Sequence, residues 1–299
     1  HQLVRRALDQ VASAEQSRDP WLELCSTLCH LEAGELPEAE AALDRAERHR
    51  PAKPTPDLDV LYAAARSFHS WQCGRPRVGG AAGSERSLLT GEPAAVALAG
   101  VVAALDQLTT PQERAAGRQG IADTLRLAEA QGFHYVSVQC RTLEAVYAAL
   151  DGDYRSMRRA SNAALASAAA NGWLGSVWVC AAHAMLANAA LQRAEPAEAG
   201  KHAAQGLRIA GDGVNPAVRL ALRSLHGCAV FDRGRRAAGF EEMLRARTDV
   251  ADQPLTAEQA ASTALPEFRA ALALGRAEAA MQVWDWLVDR SGAYGETAL

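Results

Sequence analysis

The chain has 299 residues, 49% of them hydrophobic, and carries 35 acidic against 31 basic side chains for a formal net charge of −4. That is ample material for a large core, and without a basic surplus direct nucleic-acid binding is not expected. Alanine supplies roughly a fifth of the residues and aromatics only 5%, a composition that reads as all-α.

In chain order, residues 3–17 read as one helix. The chain opens in mid-helix on His1 rather than Met, so a fragment of a longer protein is expected. Asp19-Pro20-Trp21 starts a helix over 21–33, since proline fits a first helical turn. Helix 37–49 follows Gly34 and ends at Arg50-Pro51. Pro51, Pro54 and Pro56 then forbid helix until about 57–72.

Gly74 to Gly83 is the most irregular stretch and leaves only a short helix over 84–90; an irregular break is expected over 74–92. Helix 93–107 leads to an apparent capping box: Thr110 caps, Pro111 opens the helix, Glu113 reaches back. That helix runs to Gln131 and stops at Gly132. Three clearer hairpins follow, 133–150 with 153–170, 173–193 with 196–210, and 215–232 with 235–250. Asn215-Pro216 is a strong helix start, and Thr256 with Gln259 makes a second capping box. The last hairpin, 256–274 with 276–290, carries Pro266 inside its first helix, which predicts a kink or break.

The turns recur. Gly152, Ala194, Gly234 and Gly275 are 42, 40 and 41 residues apart, and Gly74 falls 40 after Gly34. Such a period means stacked helical hairpins, each unable to bury its apolar face without a neighbour. It points to a recognition surface rather than an enzyme.

Small residues punctuate each unit: after Gly34 come Ala39, Leu43, Ala46 and Pro51. This resembles the tetratricopeptide hairpin, with its turn glycine, crossing alanine, apolar knob, second alanine and terminal proline. Gly152-Asp153-Tyr154 matches that turn best, with Met157 in place of the crossing alanine; Gly275, Ala280, Trp284 and Leu287 match less well. The resemblance implies an all-α, right-handed superhelical solenoid of about seven hairpins, forming one domain over 1–299. The longer period is similar to the MalT-like sensor region of large ATP-binding LuxR-family transcriptional regulators. The run from Leu127 through Gly132 and Tyr135, Leu150 to Tyr154, and on to Ala170-Asn171-Gly172 carries that likeness. It implies an effector-sensing arm, with an ATP-binding domain before it and a helix-turn-helix after it. With Lys53 and Lys201 the only lysines, no Walker-type loop lies in this sequence. The alternative is a tetratricopeptide scaffold that docks a protein or peptide.

No zinc-type ligand cluster is spelled out, and no metal, cofactor or catalytic residue is expected. His183 and His202, on the two helices of one hairpin, read as packing rather than ligation. Six cysteines lie mostly in apolar helical runs and read as core thiols. Glu32, Glu35 and Glu38 cluster at a turn, and Asp285 stands between Trp284 and Trp286, which read either as core at the end of the array or as an interface.

The tetratricopeptide spacing projects Gln139, Thr142 and Val146, then Ala181, Ala184 and Asn188, then Ala221, Ser224 and Cys228 into a concave groove. Tyr135, Trp173 and Trp178 lie near its mouth, where they either stack on a ligand or plug the space between hairpins. The candidate ligand-binding residues are therefore Tyr135, Gln139, Thr142, Trp178, Asn188 and Ser224. The expected partner is a small-molecule effector or a protein or peptide. No apolar run reaches membrane-spanning length and no signal peptide is evident, so a cytoplasmic place without membrane contact is expected. Apolar surface at the ends of the array would favour homo-oligomers.

Overall fold

The computed structural model describes residues 6–8, 10–11, 18–74, 92–108, 110–211, 214–252, 255 and 257–292. The expected helix over 3–17, the short helix over 84–90, the break over 74–92 and the Thr256 cap lie wholly or largely outside these residues. Among the described residues there are thirteen α-helices and one 3-10 turn. They are α1 (Pro20–Ala33), α2 (Leu36–Arg48), α3 (Pro56–Gln72), α4 (Pro93–Leu108), α5 (Arg114–Gln131), α6 (His134–Leu150) and α7 (Tyr154–Ala170). Then come α8 (Val177–Gln192), α9 (Pro196–Ala210), α10 (Pro216–Asp232), α11 (Arg236–Thr248), α12 (Ala257–Ala273) and α13 (Ala277–Gly292).

Consecutive helices pair as hairpins: α1 with α2, α4 with α5, α6 with α7, α8 with α9, α10 with α11, α12 with α13. The first helix of each hairpin also packs on the unit before it, and α3 bridges α1, α2 and α4. This is the helical solenoid that the period implied. The turns explain the period. Gly34, Gly74, Gly152, Gly234 and Gly275 all have φ between 66° and 92°, the left-handed conformation that lets a chain leave one helix and enter the next. Ala194 takes the same conformation, with φ 56°, despite its Cβ.

Beyond each turn the crossing residue is small or tightly packed: Ala39, Met157, Ala199 and Ala280 are buried. At Gly239 a Cβ would stand 2.5 Å from the Gly227 carbonyl oxygen and the Phe231 nitrogen, so α10 and α11 touch backbone to backbone. Between hairpins, tyrosine hydroxyls satisfy preceding helices: Tyr62 donates to the Ala46 carbonyl and Tyr147 to the Ala104 carbonyl, each at 2.6 Å.

Helix starts follow local chemistry. Asp19 accepts from the Trp21 N–H and Asn215 from those of Ala217 and Val218, with proline in the first turn of each helix. Three expectations are corrected. Thr110 makes no side-chain cap; Pro111–Glu113 wind as a 3-10 turn and α5 starts at Arg114. The Glu113 N–H that the hydroxyl should have served is taken by the Thr110 carbonyl at 2.9 Å. Residues 173–176 are turn rather than helix, with Ser176 capping α8. Pro266 neither ends nor interrupts α12.

The superhelix returns on itself. The Asn215 backbone N–H donates to Gln72 Oε1 at 3.1 Å, its side-chain amide donates to the Trp71 carbonyl, and Gln72 Nε2 donates to the Leu31 carbonyl at 3.3 Å. The start of α10 is thereby tied to the ends of α3 and α1. The largest core cluster likewise draws on α1 through α8, from Leu31 to Val179. No helix among the described residues is long and apolar enough to cross a membrane.

Candidate functional site

Where the early and middle hairpins meet, they leave a cavity of about 310 Å³. Its walls come from α1 (Leu28, Glu32), α3 (Phe68, Trp71, Gln72), α6 (Tyr135, Gln139), the turn before α8 (Trp173) and the start of α8 (Trp178). The aromatic rings hold one another in place. Trp71 stacks on Trp178 with centroids 5.2 Å apart and planes 8° from parallel, and Phe68 meets Trp178 edge-on at 5.9 Å. Tyr135 and Trp173 form a second edge-to-face pair at 5.1 Å. Such pairs add about 0.5–1.5 kcal/mol each beyond area burial.

One formal charge faces this apolar space, the carboxylate of Glu32. Trp178 Nε1–H donates to its Oε1 at 3.2 Å and the Ser176 hydroxyl to its Oε2 at 3.0 Å. Ser176 Oγ also accepts from the Trp178 backbone N–H at 3.2 Å and lies 3.0 Å from the Tyr135 hydroxyl. The helix cap of α8 and the orientation of Glu32 are therefore one network. Burial pushes the Glu32 carboxyl above the ordinary range. Hydrogen bonds from Tyr135, Ser176 and Trp178 pull it back. Burial, and then the neighbouring Glu32 charge, push the Tyr135 hydroxyl well above its usual value.

Of the residues singled out from sequence, Tyr135, Gln139 and Trp178 line this cavity together, and Trp173 joins them. Thr142, Asn188 and Ser224 lie elsewhere. Thr142 is 1% exposed and donates to the Val138 carbonyl of its own helix at 2.9 Å; Ser224 is 4% exposed within α10. Asn188 accepts from Gln192 one turn on, at 3.4 Å. The projected groove positions Ala181 and Ala184 are buried too. Thr142, Ala181, Ala184 and Ser224 are thus turned into the packing, while Asn188 stays partly exposed. Phe68, Trp71 and Gln72 are not among the residues singled out from sequence, and Glu32 reads there only as part of an acidic cluster at a turn. The signal for Glu32 was available: Leu24, Leu28 and Glu32 fall four apart, which puts a carboxylate on the apolar stripe of α1.

Other titratable clusters are packing features. His183 and His202 approach with Nδ1 atoms 3.1 Å apart, and burial, then His202, depresses His183 to about 4. All six cysteines are free thiols; burial pushes Cys140, Cys180 and Cys228 up to about 12. Among the described residues no group of three or more His, Cys, Asp or Glu side chains could hold a metal ion.

No family model matches this sequence, and no curated protein matches it. Among solved structures the chain is similar to one described as "Crystal structure of APC/C hetero-tetramer Cut9-Hcn1". That match has a TM-score of 0.50 and 14% sequence identity, and covers 96% of this chain and 56% of the other. The chain thus spans just over half the length of the protein it resembles, and at this identity the likeness concerns the fold. Together with the hairpin stacking, it places the chain in the class of tetratricopeptide-like helical solenoids.

Proposed function

We propose that the chain is a non-catalytic docking scaffold, working in the cytoplasm on a protein partner rather than on nucleic acid or membrane. The observation that carries this reading is the outer face of the last described hairpin. Leu265 and Leu272 on α12, and Met281, Trp284 and Val288 on α13, are each about half exposed, between 45% and 55%. Their helical spacing gathers each set on one stripe. Such a stripe fits an amphipathic helix of a partner protein, with Trp284 as the anchoring side chain. The similar solved chain, described within a hetero-tetramer, supports the same reading.

The test is affinity capture and identification of a partner, then titration with that partner purified. Micromolar or tighter binding is expected, weakened at least tenfold by Trp284→Asp with an unchanged circular dichroism spectrum. Binding indifferent to both Trp284→Asp and Leu272→Asp would remove this surface from the proposal.

A second reading, the effector-sensing arm of a MalT-like LuxR-family regulator, is favoured by the central cavity. Its volume suits a small molecule better than an extended peptide. The gene should then encode an ATP-binding domain upstream and a helix-turn-helix downstream; a gene with neither removes this reading.

A further inference from the structure

We propose that the cavity between α1, α3, α6 and the start of α8 binds a small organic ammonium ion. Glu32 would serve as its counter-ion, and Trp71, Tyr135, Trp173 and Trp178 as its walls. The site is separate from the stripe on α12 and α13, so either proposal can fail without the other.

Three observations converge. The first is charge. Glu32 projects into an apolar cavity, and no arginine, lysine or histidine side chain among the described residues forms an ion pair with it. By contrast, the other deeply buried carboxylates, Glu23 and Glu267, each hold an arginine through two hydrogen bonds, from Arg45 and Arg247. Among the described residues Glu32 has neutral donors and the start of α8, which supply partial charges, and no formal positive charge pairs with it.

The second is the walls. Aromatic faces attract cations through their quadrupole, most strongly where water is excluded, and the lining here is dominated by aromatic rings. Gln139 adds an amide group that can turn a carbonyl toward an ammonium N–H. The third is position. Glu32 lies in the last turn of α1, whose C-terminal end carries negative partial charge and so adds to the field a cation would meet.

The cavity is small, which limits the guest to a compact head of roughly ten to fifteen non-hydrogen atoms. A neutral guest of the same shape would gain the walls and forgo the carboxylate. The preference for the cation over its neutral counterpart is therefore the signature of the site.

Calorimetric titration of the intact chain with phenethylammonium, benzyltrimethylammonium and neutral 2-phenylethanol at pH 7.5 tests this. Both cations should bind saturably and at least tenfold more tightly than the alcohol. Glu32→Gln should erase that preference while leaving the alcohol's weaker binding and the circular dichroism spectrum unchanged, and Glu32→Asp should keep part of it. A second readout needs no variant: affinity for benzyltrimethylammonium, a permanent cation, should fall as acid protonates Glu32, while that of the alcohol stays level. Equal affinity for alcohol and cations, a preference that survives Glu32→Gln, a pH-independent affinity for benzyltrimethylammonium, or failure of both cations to bind at millimolar concentration would each overturn the proposal.

Discussion

His183 shows how a side chain that looks like a ligand becomes a stability device. It is held against His202 inside the hairpin of α8 and α9, where burial, then its histidine neighbour and Arg208, keep it neutral down to about pH 4. In the unfolded chain the same imidazole titrates near 6.5. The unfolded state therefore takes up this proton first, and the contribution of His183 is intact above pH 6.5 and lost as pH falls toward 4. The loss approaches roughly 3 kcal/mol. Chemical denaturation of the protein and of His183→Gln across this range should show the variant losing distinctly less stability. A parallel decline in both would contradict the assignment. Glu32 is the opposite case at this scale. Its acidic neighbours Glu35 and Glu38 group it with a turn, whereas its four-residue spacing from Leu24 and Leu28 places it on the apolar stripe of α1. The second pattern was the physical one, because side-chain direction is set by helix rotation and not by proximity along the chain.

Among the elements, the seam between α11 and α12 depends on one ion pair. Arg247 Nε and a terminal guanidinium nitrogen donate to the two oxygens of Glu267 at 2.8 and 3.1 Å, with the carboxylate almost wholly buried. Removing the arginine strands that charge, so Arg247→Met should cost about 3 kcal/mol in urea unfolding, whereas the double change with Glu267→Leu should recover much of it. A double variant as weak as the single one would show that the pair contributes attraction and not only mutual compensation.

Elements of this kind were readable in advance where one residue decides the backbone. Turn glycines and the helix starts at Asp19-Pro20 and Asn215-Pro216 stand where the sequence pattern put them. The Thr110 box failed because a 3-10 turn satisfied the same N–H from the backbone, a competition that residue types do not reveal. Pro266 does not break α12, which runs through it and packs on α10 and α11.

For the whole molecule the decisive contacts join residues more than 140 positions apart, as between Gln72 and Asn215 or Glu32 and Ser176. A repeat period says which hairpins are neighbours. It does not say how far the stack rotates per unit, and that rotation is what brings α1 and α3 back to α8 and α10. The site formed at this return was legible only in part, through Tyr135, Gln139 and Trp178 on its later wall. The return also changes stability. A simple solenoid unfolds as a sum of nearest-neighbour terms, whereas this one has a long-range tie through Asn215. Asn215→Ala removes a helix cap and the side-chain half of that tie, the bond to the Trp71 carbonyl, and should cost about 2 kcal/mol. In the unaltered chain, tryptophan fluorescence and circular dichroism should report one shared urea transition; in the variant the two should separate. Coincident transitions in the variant would mean that the hairpins cooperate without the tie.

The same return has a consequence in time. Glu32 leaves the ribosome 144 residues ahead of Ser176, the hydroxyl that completes its network. At ordinary rates of synthesis that interval is about 7 to 30 s. During it, the first hairpins can form their local helices, but the aromatic wall supplied by Trp173 and Trp178 does not yet exist. Until α8 arrives, the carboxylate of Glu32 lacks the Ser176 and Trp178 donors that hold it in the folded protein.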